Sequence, residues 1–299
     1  MDARGFVAPA RLLLALACAC GAYSLPGQAA QAPDIAALLD RVGQRVAGYY
    51  QRAQTIVCIE TSTVQPIGLD WSVDGMARTV ESELRLETDA IDGPKMPAAK
   101  VRRDVRRING RIPRDRDRKA RAGCTDPNPL SPEPLAFLLP GERDEYRFIA
   151  VRDGRERDRA AFVLEFVSAN RKTRVELIED ELGHDDCFDW KGPIAMHGQV
   201  WIDAATYDVL RVDRRNEGPV DLNVPWTLQR RYGMASFFVL ERDDLQMRYR
   251  PVPFSDPEEV ILLPESVDAL TLLRSGLQSV RRTTTFSGYR RFLTAGRVK

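Results

Sequence analysis

Histidine is nearly missing from this 299-residue chain, which holds His184 and His197 and no others. No Gly-x-Ser-x-Gly, His-Glu-x-x-His or phosphate-loop pattern occurs, so the common nucleophile, zinc-hydrolase and nucleotide arrangements are absent. Paired carboxylates can catalyse without histidine, but no pair stands apart from the scattered acids. The chain therefore reads as a non-enzyme that needs no cofactor. Lysine is scarce as well, at six of the 44 basic residues. A bias toward arginine from genome composition explains that as readily as function does.

Long apolar runs are also lacking, and none approaches the roughly 20 residues of a membrane-spanning helix. The longest near the start, Leu12 to Ala19, follows Arg4 and Arg11 and precedes the small-x-small site Ala30-Gln31-Ala32. That order is the signature of a cleavable signal peptide over residues 1–32, and it implies a periplasmic or secreted protein with one domain over 33–299. Lipidation at Cys18 or Cys20 is the rival reading, although neither follows a Leu-small-small pattern. Losing Arg4, Arg11 and Asp2 leaves 42 basic and 42 acidic residues, so net charge points to no class of partner. Three cysteines remain, Cys58, Cys124 and Cys187, in a compartment where disulfides persist. Three pairings are open. The polar, turn-rich surroundings of Cys124 and Cys187 favour joining those two, with Cys58 buried in the run Ile56-Val57-Cys58-Ile59.

Asp34 followed by Ile35, Leu38, Leu39, Val42, Val46, Tyr49 and Tyr50 predicts a capped amphipathic helix over 35–53. Period-two segments follow at 55–64, 76–88, 100–108, 145–151, 161–167, 173–178, 199–203 and 209–214. Turn signals such as Asn109-Gly110, Asp153-Gly154 and Gly192-Pro193 separate them. Short turns between alternating strands predict an antiparallel meander and argue against a parallel α/β fold. The segment 127–140 reads as a short apolar helix between prolines. Residues 251–258 (PVPFSDPE) read as a proline-rich loop before a strand at 260–263.

Residues 102–121 carry ten basic side chains against three acids, among them Arg106, Arg107, Arg111 and Arg114. Guanidinium forks suit phosphate, so these four are the candidate anion-binding rim for a lipid headgroup or acidic partner. A solvated strand pair is the plainer explanation. Nucleic acid is excluded as a partner by the shortage of interleaved aromatic residues for base stacking. The stretch Glu179, Asp180, Glu181, His184, Asp185, Asp186 and Asp189 could offer metal ligands. Its spacing matches no known metal loop, so no metal is assigned. A metal-dependent hydrolase using His184 is the third functional reading, behind two binding roles.

The run from Gly198 to Asp213 forms strand, turn and return strand, with Val200, Ile202, Leu210 and Val212 on one face. With the later Leu262-Leu263-Pro264-Glu265, it resembles the hairpin of the outer-membrane lipoprotein-sorting carriers LolA and LolB. The likeness extends over about half the chain through the order of elements. Secreted relatives share Cys124-Thr125-Asp126-Pro127 and Asp186-Cys187-Phe188-Asp189-Trp190. The resemblance implies an α+β fold: a strongly curved antiparallel half-barrel whose concave face is covered by an N-terminal helix and short helices. It implies a non-catalytic protein that binds a lipid, lipoprotein or other amphipathic envelope ligand, and contact with a membrane surface. Leu135, Leu138, Phe162, Leu164 and Phe166 would then line the cavity. The carriers' single cavity arginine has no counterpart at a matching position. Envelope sensors of the RseB type look similar and bind another protein, so an interaction or sensor module without a small-molecule ligand is the alternative.

Overall fold

Asp34 opens the first helix, its Oδ2 accepting a hydrogen bond from the Ala37 N–H at 3.1 Å, which satisfies one of the donors that a helix start leaves free. Helix α1 spans Ile35–Ala53 and buries Leu38, Leu39, Val42, Val46, Tyr49 and Ala53, a stripe at three- and four-residue spacing. The computed structural model describes residues 34–53, 55–68, 70–88, 99–114, 134–169, 174–179, 188–274 and 277–291. All of these lie within one unit, Ala32–Lys299.

The strands are β1 (Ile56–Ile67), β2 (Arg78–Thr88), β3 (Ala99–Ile108), β4 (Tyr146–Glu156), β5 (Arg159–Ser168), β6 (Val175–Glu179), β7 (Phe188–Lys191), β8 (Met196–Asp203), β9 (Val209–Asn216), β10 (Val220–Asn223), β11 (Phe237–Ser255), β12 (Glu258–Arg274) and β13 (Ser279–Arg291). A second helix, α2, spans Trp226–Tyr232. Among the described residues the sheet order is β3-β2-β1-β13-β12-β11-β9-β8-β5-β4. A branch of β10, β6 and β7 lies beside the first part of β11. The sheet is open, and its pairs are antiparallel apart from β10 with β6. This is the antiparallel architecture that the alternation and turn spacing imply, in the α+β class that the resemblance implies.

Alternation in β1 places Cys58, Glu60, Ser62 and Val64 inward, with Ile59, Thr61 and Thr63 half-exposed. On one sheet face α1 packs with Phe137, Leu138, Leu164, Phe166, Val200, Ile202, Val212, Met247, Tyr249, Leu263 and Phe286 in the main core. A smaller core gathers Val175, Leu177, Leu222, Leu228, Phe238 and Leu240 around α2. Gly233 ends α2 in the left-handed region at φ 66°, its N–H bonded to the Gln229 carbonyl.

Three expectations are corrected. Residues 127–133 of the expected apolar helix lie outside the described residues; over 134–140 the chain forms a 3-10 turn, Ala136–Leu138, and Pro140, which has no N–H to donate, ends the hydrogen-bond series. The segment 251–255 is not a loop but the end of β11, continuing into a tight turn to β12. Strand β9 pairs β11 only over Asp244–Arg248. Beyond that, β11 pairs with β12 alone among the described residues, and a strand with one free side is where proline is tolerated. Finally, a bulge between Trp201 and Ile202 brings Val209 rather than Leu210 into the helix-covered core, since one extra residue reverses the faces beyond it.

Candidate functional site

The five residues expected to line a ligand cavity do come together, beneath α1, as parts of a packed layer. Leu135, Leu138, Leu164 and Phe166 are 3% exposed or less. Phe162 is half-buried and stacks on Tyr207 at 6.5 Å. The Phe166 ring lies 4.7 Å from Phe137, 5.8 Å from Tyr146 and 6.5 Å from Phe148. A void of about 20 Å³ touches Leu135, Val46, Tyr49 and Tyr249, too small for an acyl chain. The helix is fastened over this layer by charged groups. Arg45 makes a two-pronged pair with Asp208 at 2.7 and 2.8 Å. Arg143 holds Asp40 at 2.9 Å while donating to the Leu138 carbonyl at 3.0 Å.

The rim arginines have local partners. Arg106 donates to Glu83, and Arg107 lies 3.6 Å from Glu81. Arg111 closes the turn after β3 by a bridge to Ile108, and Arg114 is exposed just beyond it. Glu83 also receives Arg85 and Arg290, and its carboxyl is held at about 2, chiefly by the Arg85 hydrogen bond, with Arg290 and Arg106 adding. Inward of these, Arg103 grips buried Glu60 through two hydrogen bonds, the longer 2.9 Å. β3 ends the sheet path, and arginines along such an edge also discourage strand-to-strand association.

Residues 115–121 of the basic run, Cys124, Cys187 and most of the acidic stretch around His184 lie outside the described residues. Of that stretch, Glu179 accepts from Arg231 at 2.6 Å and from the Tyr232 hydroxyl at 2.9 Å. Among the described residues no group of three or more His, Cys, Asp or Glu could hold a metal ion. Cys58 is free and buried, and burial pushes its thiol up to about 12.

An open cavity of about 670 Å³ lies elsewhere, against Glu165, Val167, His197, Gln199, Asp213, Arg215, Asp244, Gln246, Asp268 and Arg281. The register explains why these residues meet. Glu165, Gln199, Asp213, Gln246 and Asp268 form one cross-strand row through β5, β8, β9, β11 and β12. Val167, His197, Arg215, Asp244 and Leu270 form the next row on the same face. The row between them, Phe166, Gly198, Arg214, Leu245 and Ala269, points the other way, so its backbone is the floor. This trough is therefore on the face opposite α1. Its walls carry a chain of ion pairs: Arg211 with Asp213 at 2.7 Å, Arg281 with Asp268 at 3.2 Å, and Arg242 with Asp244. Gln199 donates to Glu165 at 3.0 Å. The Arg211 guanidinium also lies 4.2 Å over the Trp201 ring.

Sequence reasoning did not find the trough. Each strand shows only an outward polar position, which alternation alone reads as solvated. A view of all five strands in register was needed to see that these positions share one hollow.

No protein-family model matches the sequence, and no curated protein is similar to it. Among solved structures, the chain is similar to an outer membrane lipoprotein-sorting protein domain from Vibrio parahaemolyticus. That match has 12% identity and a TM-score of 0.35, over 86% of this chain and 92% of the other. A LolA superfamily protein from Nitrosomonas europaea matches at 10% identity and TM-score 0.29, over 88% of this chain and 95% of the other. The MucA/MucB complex of Pseudomonas aeruginosa matches at 10% identity and TM-score 0.23, over 84% of this chain and 99% of that one.

Proposed function

We propose that this chain is a non-catalytic interaction module of the bacterial envelope, engaging a partner through its polar sheet face and not by enclosing an acyl chain. The envelope location rests on the signal-peptide pattern of residues 1–32. One observation carries the mode of binding: the apolar face is filled by the protein's own α1 among the described residues, whereas the open volume of about 670 Å³ lies on the other face, where charged and amide side chains stand among Ile149, Val167 and Leu270. Transfer of a hydrocarbon chain into such a site would strand carboxylates and guanidinium groups against methylene groups, an unfavourable exchange. Acyl-chain binding beneath α1 would instead require displacing the helix, breaking the Arg45–Asp208 and Arg143–Asp40 pairs and exposing the aromatic layer. A non-catalytic role is supported by the trough's carboxylates, each engaged by a basic or amide group and none aligned with a nucleophile.

Titration with a fluorescent polyene fatty acid tests this reading. The expected result is no saturable signal up to micromolar protein and probe. Stoichiometric binding that Phe166→Ala or Leu138→Ala abolishes would overturn it and restore the carrier role.

A further inference from the structure

The trough's carboxylates are all answered from within. Glu165 has Gln199 at 3.0 Å and Arg152 at 3.8 Å, Asp213 has Arg211, Asp244 has Arg242, and Asp268 has Arg281. Arg215 differs. It is exposed, lies opposite His197 on β8 and Asp244 on β11, and its side chain forms no ion pair or hydrogen bond among the described residues. The side chain of His197, its neighbour across the ladder, is likewise without one among the described residues. The uncommitted charge and donors in the hollow are therefore those of a cation beside an imidazole.

From this charge pattern we propose that the trough is a binding groove for an extended, carboxylate-bearing polypeptide segment, with Arg215 and His197 receiving a carboxylate of the partner. The inference rests on the interaction-module reading and names the site and chemistry of that partner. Length supports a chain over a compact ligand. The lining runs from Ile149 on β4 to Arg281 on β13, seven adjacent strands at about 4.8 Å each, or roughly 25–30 Å, the span of about eight extended residues. The ligand crosses the strands, so its backbone is met by the second N–H of the Gln199 and Gln246 amides, whose first goes to Glu165 and Asp213, and not by a sheet edge. A single carboxylate fits better than a phosphate, because the second charge of a dianion would face Glu165, Asp213, Asp244 and Asp268 with no uncommitted cation beside it.

At one end the groove meets the β1–β2 turn. The Trp71 ring rests 5.5 Å from the guanidinium of Arg242, which itself lines the trough. Trp71 is 53% exposed and held at φ 69°, a costly conformation for a residue with a side chain. The surrounding turn fixes it, with the Gly68 N–H bonded to the Ser72 carbonyl at 2.8 Å and Asp70 accepting from the Ser72 N–H at 3.1 Å. An aromatic surface held in this way offers an anchor for an apolar side chain at one end of the acidic segment.

The test is fluorescence anisotropy of the whole processed protein with a labelled octapeptide that carries one Glu among Ser residues and ends in Leu. A peptide with Lys in place of Glu and inorganic phosphate serve as comparisons. The acidic peptide is expected to bind saturably and at least about tenfold more tightly than the Lys peptide, and to weaken as salt rises. Arg215→Glu should weaken it by about tenfold or more, and Trp71→Ala by about threefold or more. Arg215→Gln, which removes the cation without setting a second carboxylate opposite Asp244, should also weaken binding and should melt at the wild-type temperature. Unchanged affinity in Arg215→Glu, equal binding of the Lys peptide, or no binding at millimolar peptide overturns the proposal. Displacement by equimolar phosphate overturns it in favour of a simple anion site. Loss of the peptide result while fatty acid still fails to bind sinks only this groove. Fatty-acid binding sinks the interaction-module reading itself.

Discussion

Phe166→Ala separates a solid core from a ligand pocket. The ring is 2% exposed, has three aromatic neighbours with centroids between 4.7 and 6.5 Å, and lies over Gly198, where a Cβ would come within 2.6 Å of its Cζ. Nothing around it is free to fill the hole: α1 is fastened by Arg45 and Arg143, and the sheet floor is fixed by its ladder. Buried Phe→Ala changes cost about 3–5 kcal/mol when the site cannot collapse. For a domain of this size each kcal/mol shifts the melting temperature by roughly 2–4 °C, so the variant should melt roughly 6–20 °C lower. Urea unfolding followed by circular dichroism gives the free energy directly, with Ile149→Ala on the exposed face as a control that should change stability by less than about 0.5 kcal/mol. A loss below about 1 kcal/mol for Phe166→Ala would mean that the ring borders a hollow, and the packed-core argument would be wrong.

Three further outcomes follow from the same geometry. A Cβ on Gly198 would lie 2.1 Å from the Asp213 carbonyl oxygen, so Gly198→Ala should destabilise by about 1–3 kcal/mol in the same urea assay, and a neutral result would contradict the close β8–β9 approach. Glu83, held at about 2 by Arg85 with Arg290 and Arg106, titrates near 4.3 when unfolded. Its folded value is the lower one, so its contribution is present above about pH 4.3 and disappears as pH falls toward 2. Melting temperature should therefore fall less steeply over that window in Glu83→Gln than in the wild type, and parallel curves would remove Glu83 from the acid response. Cys58, with its thiol raised to about 12 by burial, should resist iodoacetamide at pH 8 in the native protein and react in urea. Peptide mapping would read this, and comparable labelling in both states would refute the burial.

The sequence carried α1 almost residue for residue, because an Asp cap and a 3.6-residue apolar stripe are both local signals. Strands β1 to β5, β8 and β9 were likewise visible in alternation and turn chemistry, and the strand, turn and return strand at 198–213 are the β8–β9 hairpin. Features set by neighbours were not visible. Pro251 and Pro253 lie in a strand only because β9 stops short of them. The bulge at Trp201 exchanges Leu210 for Val209. The trough depends on the register of strands that are far apart in sequence, with Glu165 and Asp268 aligned through three intervening strands. Apolar alternation marked Leu164 and Phe166 as inward but could not tell a cavity wall from a core, since both require the same residues.

Among the described residues α1 fills the apolar face, and the open volume lies on the opposite face of the sheet. Native mass spectrometry of the protein purified from a periplasm, followed by organic extraction and lipid analysis, tests most directly the proposal that no acyl chain is enclosed. The expected result is the mass of the processed chain alone, with no stoichiometric lipid in the extract. A one-to-one lipid or acylated adduct retained through purification would contradict it.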